Sequence, residues 1–222
     1  KSLACRVAEF AAHGCPTKFG ELLPAPLVRK HLLETWGEPW VSFETLAKLC
    51  WVQGIPVVHL TKLPISKGIR KPHAMCVKTK SGRPVILLFR NIKSPHWLLW
   101  DLAHEIGHIA SGHLVEPEAV VWDEKLDYSG RLDWTDDGEW RRIEGQANIY
   151  ASELLTSEAD FLSPVSIGQP DRTARSAFHT AQQMNIDPGY LILRAASQSP
   201  EASEPERKRD FALAQTALKK LP

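Results

Sequence analysis

The stretch WDLAHEIGHIASGHL, residues 100–114, constrains the fold of this chain more than any other part of its sequence. His104 and His108 are four residues apart, so on a helix they lie one turn from each other on the same face. Apolar residues on the opposite face recur every three or four positions, which predicts an amphipathic helix with that face in the core. This apolar stripe consists of Leu98, Leu102, Ile106 and Ile109.

Two imidazoles one helical turn apart can bind a single zinc ion. Glu105 follows the first histidine, as in the H-E-x-x-H zinc peptidases, where it contacts a water at the metal without being a ligand. In that chemistry the glutamate takes a proton from the water and later passes it to the leaving amine. The pattern predicts His104 and His108 as metal ligands and Glu105 as the catalytic group. The alternative is a solvated helix face that carries two histidines by coincidence.

The third metal ligand has to come from another part of the chain. The segment RRIEGQANIYASELL, residues 141–155, predicts a helix with Glu144 and Asn148 on one face. Packed across the first helix, Glu144 completes a site of two histidines and one glutamate, with a fourth position left for water. Asn148 lies one turn further along. Its side chain is suited to hydrogen-bond one of the metal-binding residues without contacting the metal itself. Neighbouring carboxylates stay open as alternatives to Glu144: Glu139, Glu153 and Glu158.

His113 is a further alternative for the third ligand. If the helix continued, His113 would lie about 180° around its axis from His104. The extended zinc-peptidase pattern with a third histidine requires histidine at position 114, and this chain has Leu114 there. Gly112 is suited to end the helix and redirect the chain. We therefore expect His113 to be an exposed or packed residue and not a ligand.

The other segments predict a mixture of helices and strands. A helix is expected over residues 41–52, with Ser42 as its N-cap. A short strand follows at 55–60, and residues 74–90 predict a β-hairpin. Additional helices are expected after Ser94-Pro95, from about Trp140 to Leu155, over 172–186 and near the C-terminus.

Composition excludes several classes of protein. The chain has 222 residues, 43% of them apolar, which is enough for one sizeable core. Its 27 basic and 26 acidic residues nearly balance, so no overall positive field indicates direct binding of nucleic acid. The four cysteines form no C-x-x-C pair, which predicts reduced thiols in a cytoplasmic protein. No apolar run reaches membrane-spanning length and no signal-peptide pattern is present, so no membrane partner is expected.

Several pieces of the sequence, in order, resemble the ImmA/IrrE-like zinc metallopeptidases. RPVILLFRNIKSPHWLLWDLAHEIGHIASGH is similar to the strand–helix core of that family, which ends in H-E-x-G-H and a trailing histidine. RRIEGQANIYASELL resembles its E-x-x-A-N helix, whose glutamate is the third zinc ligand and corresponds to Glu144. LAKLCWVQGIPVVHLTKLP and AFHTAQQMNIDPGYLILR resemble the helix–strand entry and the C-terminal helix with its following turn, so the likeness covers residues 40–195.

This resemblance implies a compact zincin-like α+β core that contains Zn²⁺. The core is expected at residues 54–160, with a small antiparallel sheet, the helix of the histidines and the helix of Glu144. Helical segments at 1–53 and 161–222 are expected to flank it. The implied activity is limited proteolysis of a regulatory protein, typically a helix-turn-helix transcriptional repressor cleaved after DNA damage or another stress. Many members belong to mobile elements or to operons that resemble toxin–antitoxin pairs.

Two other functions compete with the peptidase. One is a non-catalytic zinc-containing module that binds or senses a protein partner. A purely structural zinc site has no need of Glu105, which favours the enzyme. The other is a DNA-binding regulator, suggested by a faint helix-turn-helix character in FETLAKLCWVQGI, but no basic stripe accompanies it.

A long acidic connection joins the two predicted metal-binding helices. Residues 116–139 contain nine acidic residues and two basic ones, which would favour encounter with a basic partner. Aromatic residues there, Trp122, Tyr128 and Trp134, are potential anchors for that partner. A solvated loop packed by the same aromatics is the alternative. Candidates for stabilising an oxyanion are Tyr128, His113 and Arg141.

Overall fold

A computed structural model describes residues 2–61, 72–92, 94–115, 119–122, 138–198 and 202–222, which form a mostly helical α+β fold. A π-helical turn, His31–Thr35, directly follows the helix at Ala25–Lys30. The helices are α1 (Ser2–His13), α2 (Ala25–Lys30), α3 (Phe43–Val52), α4 (Pro95–Ala110), α5 (Gly138–Thr156), α6 (Pro170–Met184), α7 (Pro188–Ser197) and α8 (Glu204–Leu218). The strands are β1 (Val57–His59), β2 (Ala74–Lys78), β3 (Pro84–Leu88) and β4 (Val120–Trp122).

The four strands form one mixed sheet in the order β1-β3-β2-β4. Strand β2 is antiparallel to both neighbours, so Cys76 lies opposite Ile86 on one side and Val121 on the other. Strand β1 is parallel to β3, with Val57 opposite Ile86. The prediction of an antiparallel sheet is therefore wrong at β1. Residues 60–73 connect β1 to β2. A connection of this length lets β1 pair with a strand at either edge of the sheet and in either direction, whereas a tight turn would have made β1 the antiparallel neighbour of β2.

The sheet forms a layer between α1 and α4. Since side chains alternate across a strand, Cys76 and Ile86 face the main core together with the buried face of α4. Met75 and Leu87 point the other way, into a second apolar cluster that includes Ala8 of α1. The main core contains residues from all three predicted segments of the chain. The boundaries between those segments stay a prediction.

Helix α4 is the central element of the fold. It begins at Pro95 with Ser94 as N-cap residue, as predicted, and packs on the sheet and on α3, α5 and α7. Every residue from Leu98 to His108 is buried, which includes the polar face as well as the apolar stripe. Because buried polar groups require partners, the polar face of α4 must be satisfied by neighbouring elements, above all by α5.

The predicted local signals around α4 are also present. Helix α3 has Ser42 as its N-cap, and the Ser42 hydroxyl accepts a hydrogen bond of 3.1 Å from the backbone N–H of Thr45. The β2–β3 hairpin turns at Ser81-Gly82, where Gly82 has a φ of 84° and donates to the carbonyl of Thr79. The hairpin pairs β2 with β3, and both strands pack on α4.

Two regions differ from the sequence-based predictions. The segment after α6 was expected to be a turn, but it forms α7. Asp187 caps α7 by accepting from the N–H of Tyr190 at 2.8 Å, and Asp-Pro is as suitable for beginning a helix as for ending one. Within the acidic connection, Val120–Trp122 forms strand β4, which pairs with β2. In the same connection, residues 116–118 and 123–137, which include Tyr128 and Trp134, lie outside the described residues.

The four cysteines agree with the expectation of reduced thiols. All four cysteines are free thiols, and three of them are buried: Cys15, Cys50 and Cys76. Within the described part of the chain, no helix combines the length and the apolar character needed to cross a membrane.

Candidate metal centre

His104 and His108 of α4 and Glu144 of α5 lie together in the interior of the protein. Their potential ligand atoms are all within 4.8 Å of one another. His104 is 1% exposed, and His108 and Glu144 are 0% exposed. These three buried residues are placed to bind a metal ion, as the sequence predicted.

Small residues allow α5 to approach α4 closely enough for this cluster to form. Gly107 lies between the two histidine turns and faces the backbone of Ala147. Ala147 is fully buried at this contact, and so is Ala151 one helical turn further along α5. Gly145 is different, because nothing lies within 4 Å of the position where its Cβ would be.

The inward-facing atoms of the cluster converge on one point. The Nε2 atoms of His104 and His108 are 2.9 Å apart. The Glu144 carboxylate is 3.3 Å from Nε2 of His104 through Oε2 and 3.4 Å from Nε2 of His108 through Oε1. Both carboxylate oxygens are buried without a hydrogen bond. Buried carboxylates are otherwise nearly always hydrogen-bonded or bound to a cation, so these two oxygens fit a metal ligand.

The outward-facing nitrogens of the two histidines explain why the inner nitrogens are suited to a cation. Nδ1 of His104 is 3.0 Å from Oδ1 of Asn148, the hydrogen bond expected of Asn148. Nδ1 of His108 is 2.9 Å from Nδ1 of His113. When both Nδ1–H groups donate outward, both Nε2 lone pairs point inward beside the Glu144 carboxylate. Three acceptors then face one another without a hydrogen between them, and a metal ion satisfies all three.

The ionisation of these side chains agrees with metal binding. Burial lowers the pKa of His108 to about 4, so its ring is neutral near pH 7. For Glu144, burial acts to raise the pKa, but the hydrogen bonds and positive charge that His104 and His108 supply when they are protonated outweigh it and lower the pKa to about 2. A neutral imidazole and an ionised carboxylate are the forms that bind metal ions.

Glu105 lies beside this cluster on α4 without being part of it. It is 1% exposed. Cys76 of β2 is its neighbour: burial raises the pKa of the Cys76 thiol well above its usual value, and the charge and hydrogen bond of Glu105 raise it further. Cys76 therefore stays protonated, and its S–H donates to the Glu105 carboxylate. The role of Cys76 was not predictable from the sequence, because no local pattern reveals which strand residue lies beneath the helix.

His113 is closer to the site than sequence analysis predicted. Helix α4 ends at Ala110, and Gly112, with a φ of 72°, turns the chain back. The backbone N–H of His113 then donates to the carbonyl of His108 at 3.0 Å. The expectation of an exposed or packed residue was incomplete, because His113 is half-buried against a candidate ligand. The turn at Gly112 was predicted from the sequence, but the side chain that His113 meets after the turn was not.

The remaining candidates lie outside the metal cluster. Glu139, Glu153 and Glu158 are not among the clustered residues of the described chain, so the cluster favours Glu144 over its rivals. The hydroxyl of Tyr150 on α5 donates to the carbonyl of Leu23 at 2.9 Å. Arg141 is exposed, and Tyr128 lies outside the described residues.

In comparisons with known proteins, no protein-family model matches this sequence, and no curated protein matches it significantly. The function is therefore inferred from the chemistry of the site.

Proposed function

We propose that this protein is a zinc-dependent endopeptidase of the ImmA/IrrE-like type, with a zincin-like core. The observation that carries the proposal is a buried carboxylate, Glu105, adjacent to a buried set of two histidines and one glutamate. Two nitrogen ligands and one oxygen ligand are typical of catalytic zinc sites, which keep a fourth position open. A site with only a structural role has no use for a second buried carboxylate beside it.

Each residue of the site has a definite task under this proposal. Zn²⁺ bound by His104, His108 and Glu144 would lower the pKa of a water molecule and polarise the scissile carbonyl. Glu105 takes the proton of that water and delivers it to the leaving amine. The thiol of Cys76 orients the Glu105 carboxylate through its S–H group.

The proposed substrate is a regulatory protein, and the resemblance to ImmA/IrrE-like peptidases favours a helix-turn-helix repressor or an antitoxin-like partner in a stress or mobile-element response. The near balance of charge in the chain, +1 at pH 7, agrees with a protein substrate and with no direct binding of nucleic acid. A cytoplasmic location, where such substrates act, is part of the same proposal.

One observation favours a second function, a non-catalytic zinc-containing module that binds a protein partner. His104, Glu105 and His108 are at most 1% exposed, so the site is enclosed in this conformation. Structural zinc sites are closed, whereas catalytic sites admit substrate. Glu105 distinguishes the two functions, because only the peptidase needs it to transfer a proton.

The decisive variant is Glu105→Gln, which keeps the shape of the side chain but cannot accept the proton. Cells producing the wild type or the variant are compared by mass spectrometry of newly formed protein N-termini, and the zinc content of each purified protein is measured. We expect the variant to fold and keep zinc while its cleavage products fall by about 10²–10⁴-fold. Glu153→Gln, on α5 but outside the cluster, is the matched control and should cleave normally. Equal cleavage by wild type and Glu105→Gln, with zinc in place, would overturn the peptidase.

A further inference from the structure

We propose that His113 is a positioning residue that holds the ring of His108 so that the Nε2 lone pair points into the metal site. The inference rests on the proposed metal site and adds a residue to it. The contact that carries it is the 2.9 Å distance between Nδ1 of His108 and Nδ1 of His113. One of these two nitrogens must donate and the other must accept, and the surrounding residues determine which.

The direction of this hydrogen bond follows from a chain of contacts that ends at a permanent cation. The guanidinium of Arg142 can only donate, and its Nη1 is 3.1 Å from Oε1 of Gln146. The same oxygen is 3.1 Å from Nε2 of His113. Oε1 is an acceptor for both, so Nε2 of His113 carries the hydrogen. In the neutral ring, Nδ1 of His113 then has a lone pair and accepts from Nδ1–H of His108.

The hydrogen on Nδ1 of His108 leaves Nε2 of the same ring as an acceptor. That atom is the one that lies 2.9 Å from Nε2 of His104 and 3.4 Å from Glu144. The chain from Arg142 through Gln146 and His113 thus selects the tautomer of His108 that can bind a metal. Metal-binding histidines commonly require such an outer partner.

The backbone around His113 is held in place from both sides. Gly112 adopts the left-handed conformation, with a φ of 72°, that ends α4 and reverses the chain. The next residue, Leu114, is 8% exposed and belongs to the main core. Lys78 of β2 donates from Nζ to the carbonyls of Leu114 at 3.0 Å and Val115 at 2.9 Å. The position of His113 is therefore fixed by the sheet and by the core, and not only by its own side chain.

His104 obtains its outer partner in a different way. Asn148, which accepts from its Nδ1, lies on α5 together with Glu144 and Gln146. Helix α5 thus supplies the third candidate ligand, the outer partner of His104 and the group that orients His113. For His108, the outer partner is His113, which lies in the turn after α4. Helix α5 acts on His113 through Gln146.

The test compares His113→Ala with His113→Asn. Asparagine places Oδ1 near the position of the histidine Nδ1, so it restores an acceptor for His108, whereas alanine does not. Zinc affinity is measured by competition with a chromophoric chelator, with the exposed His179→Ala as control. We expect His113→Ala to lose about 10–100-fold in zinc affinity. His113→Asn should recover most of that loss, and His179→Ala should match the wild type.

A second measurement follows the tautomer directly. Two-bond ¹H–¹⁵N spectra of the metal-free protein distinguish a hydrogen on Nδ1 from one on Nε2. We expect His108 to carry its hydrogen on Nδ1 in the wild type and in His113→Asn, and to shift toward Nε2–H in His113→Ala. If the alanine variant fails to fold, Gln146→Ala replaces it, because this exposed residue controls the tautomer of His113. That variant should show His113 in mixed tautomers and a smaller loss of zinc affinity.

The outcomes separate this inference from the proposed function. If wild type and His113→Ala bind zinc equally, or if His113→Asn is as weak as the alanine variant while folded, His113 is not a positioning residue. Unchanged tautomers in both His113→Ala and Gln146→Ala would overturn the inference in the same way. If the wild type itself binds no zinc, the proposed metal site fails and this inference fails with it.

Discussion

Gly107 of α4 and Ala147 of α5 are in backbone contact: a Cβ atom on Gly107 would lie 2.7 Å from the carbonyl oxygen of Ala147 and 2.9 Å from its Cα. Cβ atoms do not approach backbone atoms so closely, so only glycine fits at this position. The contact lies between the turns that carry His104 and His108, and one turn of α5 from Glu144. The glycine therefore sets the distance between the candidate ligands of the two helices.

Gly107→Ala should separate the helices and weaken the metal site. Because the atoms in its way belong to backbone, we expect a loss of about 1–3 kcal/mol in the free energy of unfolding and a clear loss of zinc affinity. The matched control is Gly145→Ala, which has nothing within 4 Å of its new Cβ and should be neutral or slightly stabilising. Urea unfolding and chelator competition measure the two quantities. Zinc affinity in Gly107→Ala equal to that of Gly145→Ala would contradict the proposed role of the contact.

Removal of a candidate metal ligand should weaken metal binding far more than removal of a histidine outside the candidate site. We expect His104→Ala and Glu144→Ala to lose more zinc affinity than the roughly 10–100-fold typical of outer hydrogen-bonding partners. His179→Ala serves as the control, since the ring of His179 contacts Gln183 on the surface of α6. Metal analysis by mass spectrometry after dialysis is sufficient. Full zinc retention in both ligand variants would rule out the site.

The buried Arg29 should be important for stability and not for the metal. Its guanidinium donates to four carbonyls at two helix ends. These are Leu154 and Leu155 near the end of α5, at 3.3 and 2.7 Å, and Met184 and Asn185 at the end of α6, at 3.3 and 2.7 Å. Arg29→Met leaves these carbonyls without a charged donor, so we expect a loss of about 3 kcal/mol in the free energy of unfolding. Lys30→Met, at a neighbouring exposed position, should have little effect. Equal urea midpoints of the two variants would contradict this prediction.

The ion pair of His96 and Asp187 should make stability depend on pH. Nδ1 of His96 is 2.9 Å from Oδ1 of Asp187. Burial acts to lower the pKa of His96, but the hydrogen bond and charge of Asp187, with a contribution from Glu44, raise it above 6.5. His96 also lines a surface cavity of about 520 Å³, and Lys219 contributes a positive charge to the same lining.

Because the folded pKa of His96 lies above the unfolded value, the pair stabilises the protein fully below about pH 6.5. This contribution is lost as the pH rises through the folded pKa. The difference in unfolding free energy between wild type and His96→Gln should therefore be larger at pH 6 than at pH 8.5. Urea titrations at both values measure it, and a difference that grows toward high pH would show that the sign is wrong.

Features encoded in one contiguous stretch were predictable from the sequence. The helix with His104, Glu105 and His108 follows from its periodicity and its Ser-Pro start, and the β2–β3 hairpin from its turn residues. Glu144 was identifiable because it shares one face of a predicted helix with Asn148, and that face is suited to pack across the helix of the two histidines. Such signals depend on local geometry that the chain imposes by itself.

Features that depend on distant packing were not predictable. Cys76 lies beneath Glu105 only because of the register between β2 and α4, which no local pattern fixes. His113 meets His108 because Gly112 reverses the chain and Lys78 holds the residues that follow. The parallel pairing of β1 with β3 likewise results from a long connection whose path the sequence does not reveal.

The candidate ligands come from two helices, α4 and α5, that meet only in the folded chain. An unfolded chain cannot hold His104, His108 and Glu144 at a common point, so a metal ion at this site would bind the native state and not the denatured ensemble. By mass action, free metal at 100 times its dissociation constant would then raise the unfolding free energy by about 2.7 kcal/mol. The melting temperature should rise with the logarithm of metal concentration and fall when a chelator is added. In the cell, the supply of metal would thereby set how much of this protein escapes degradation.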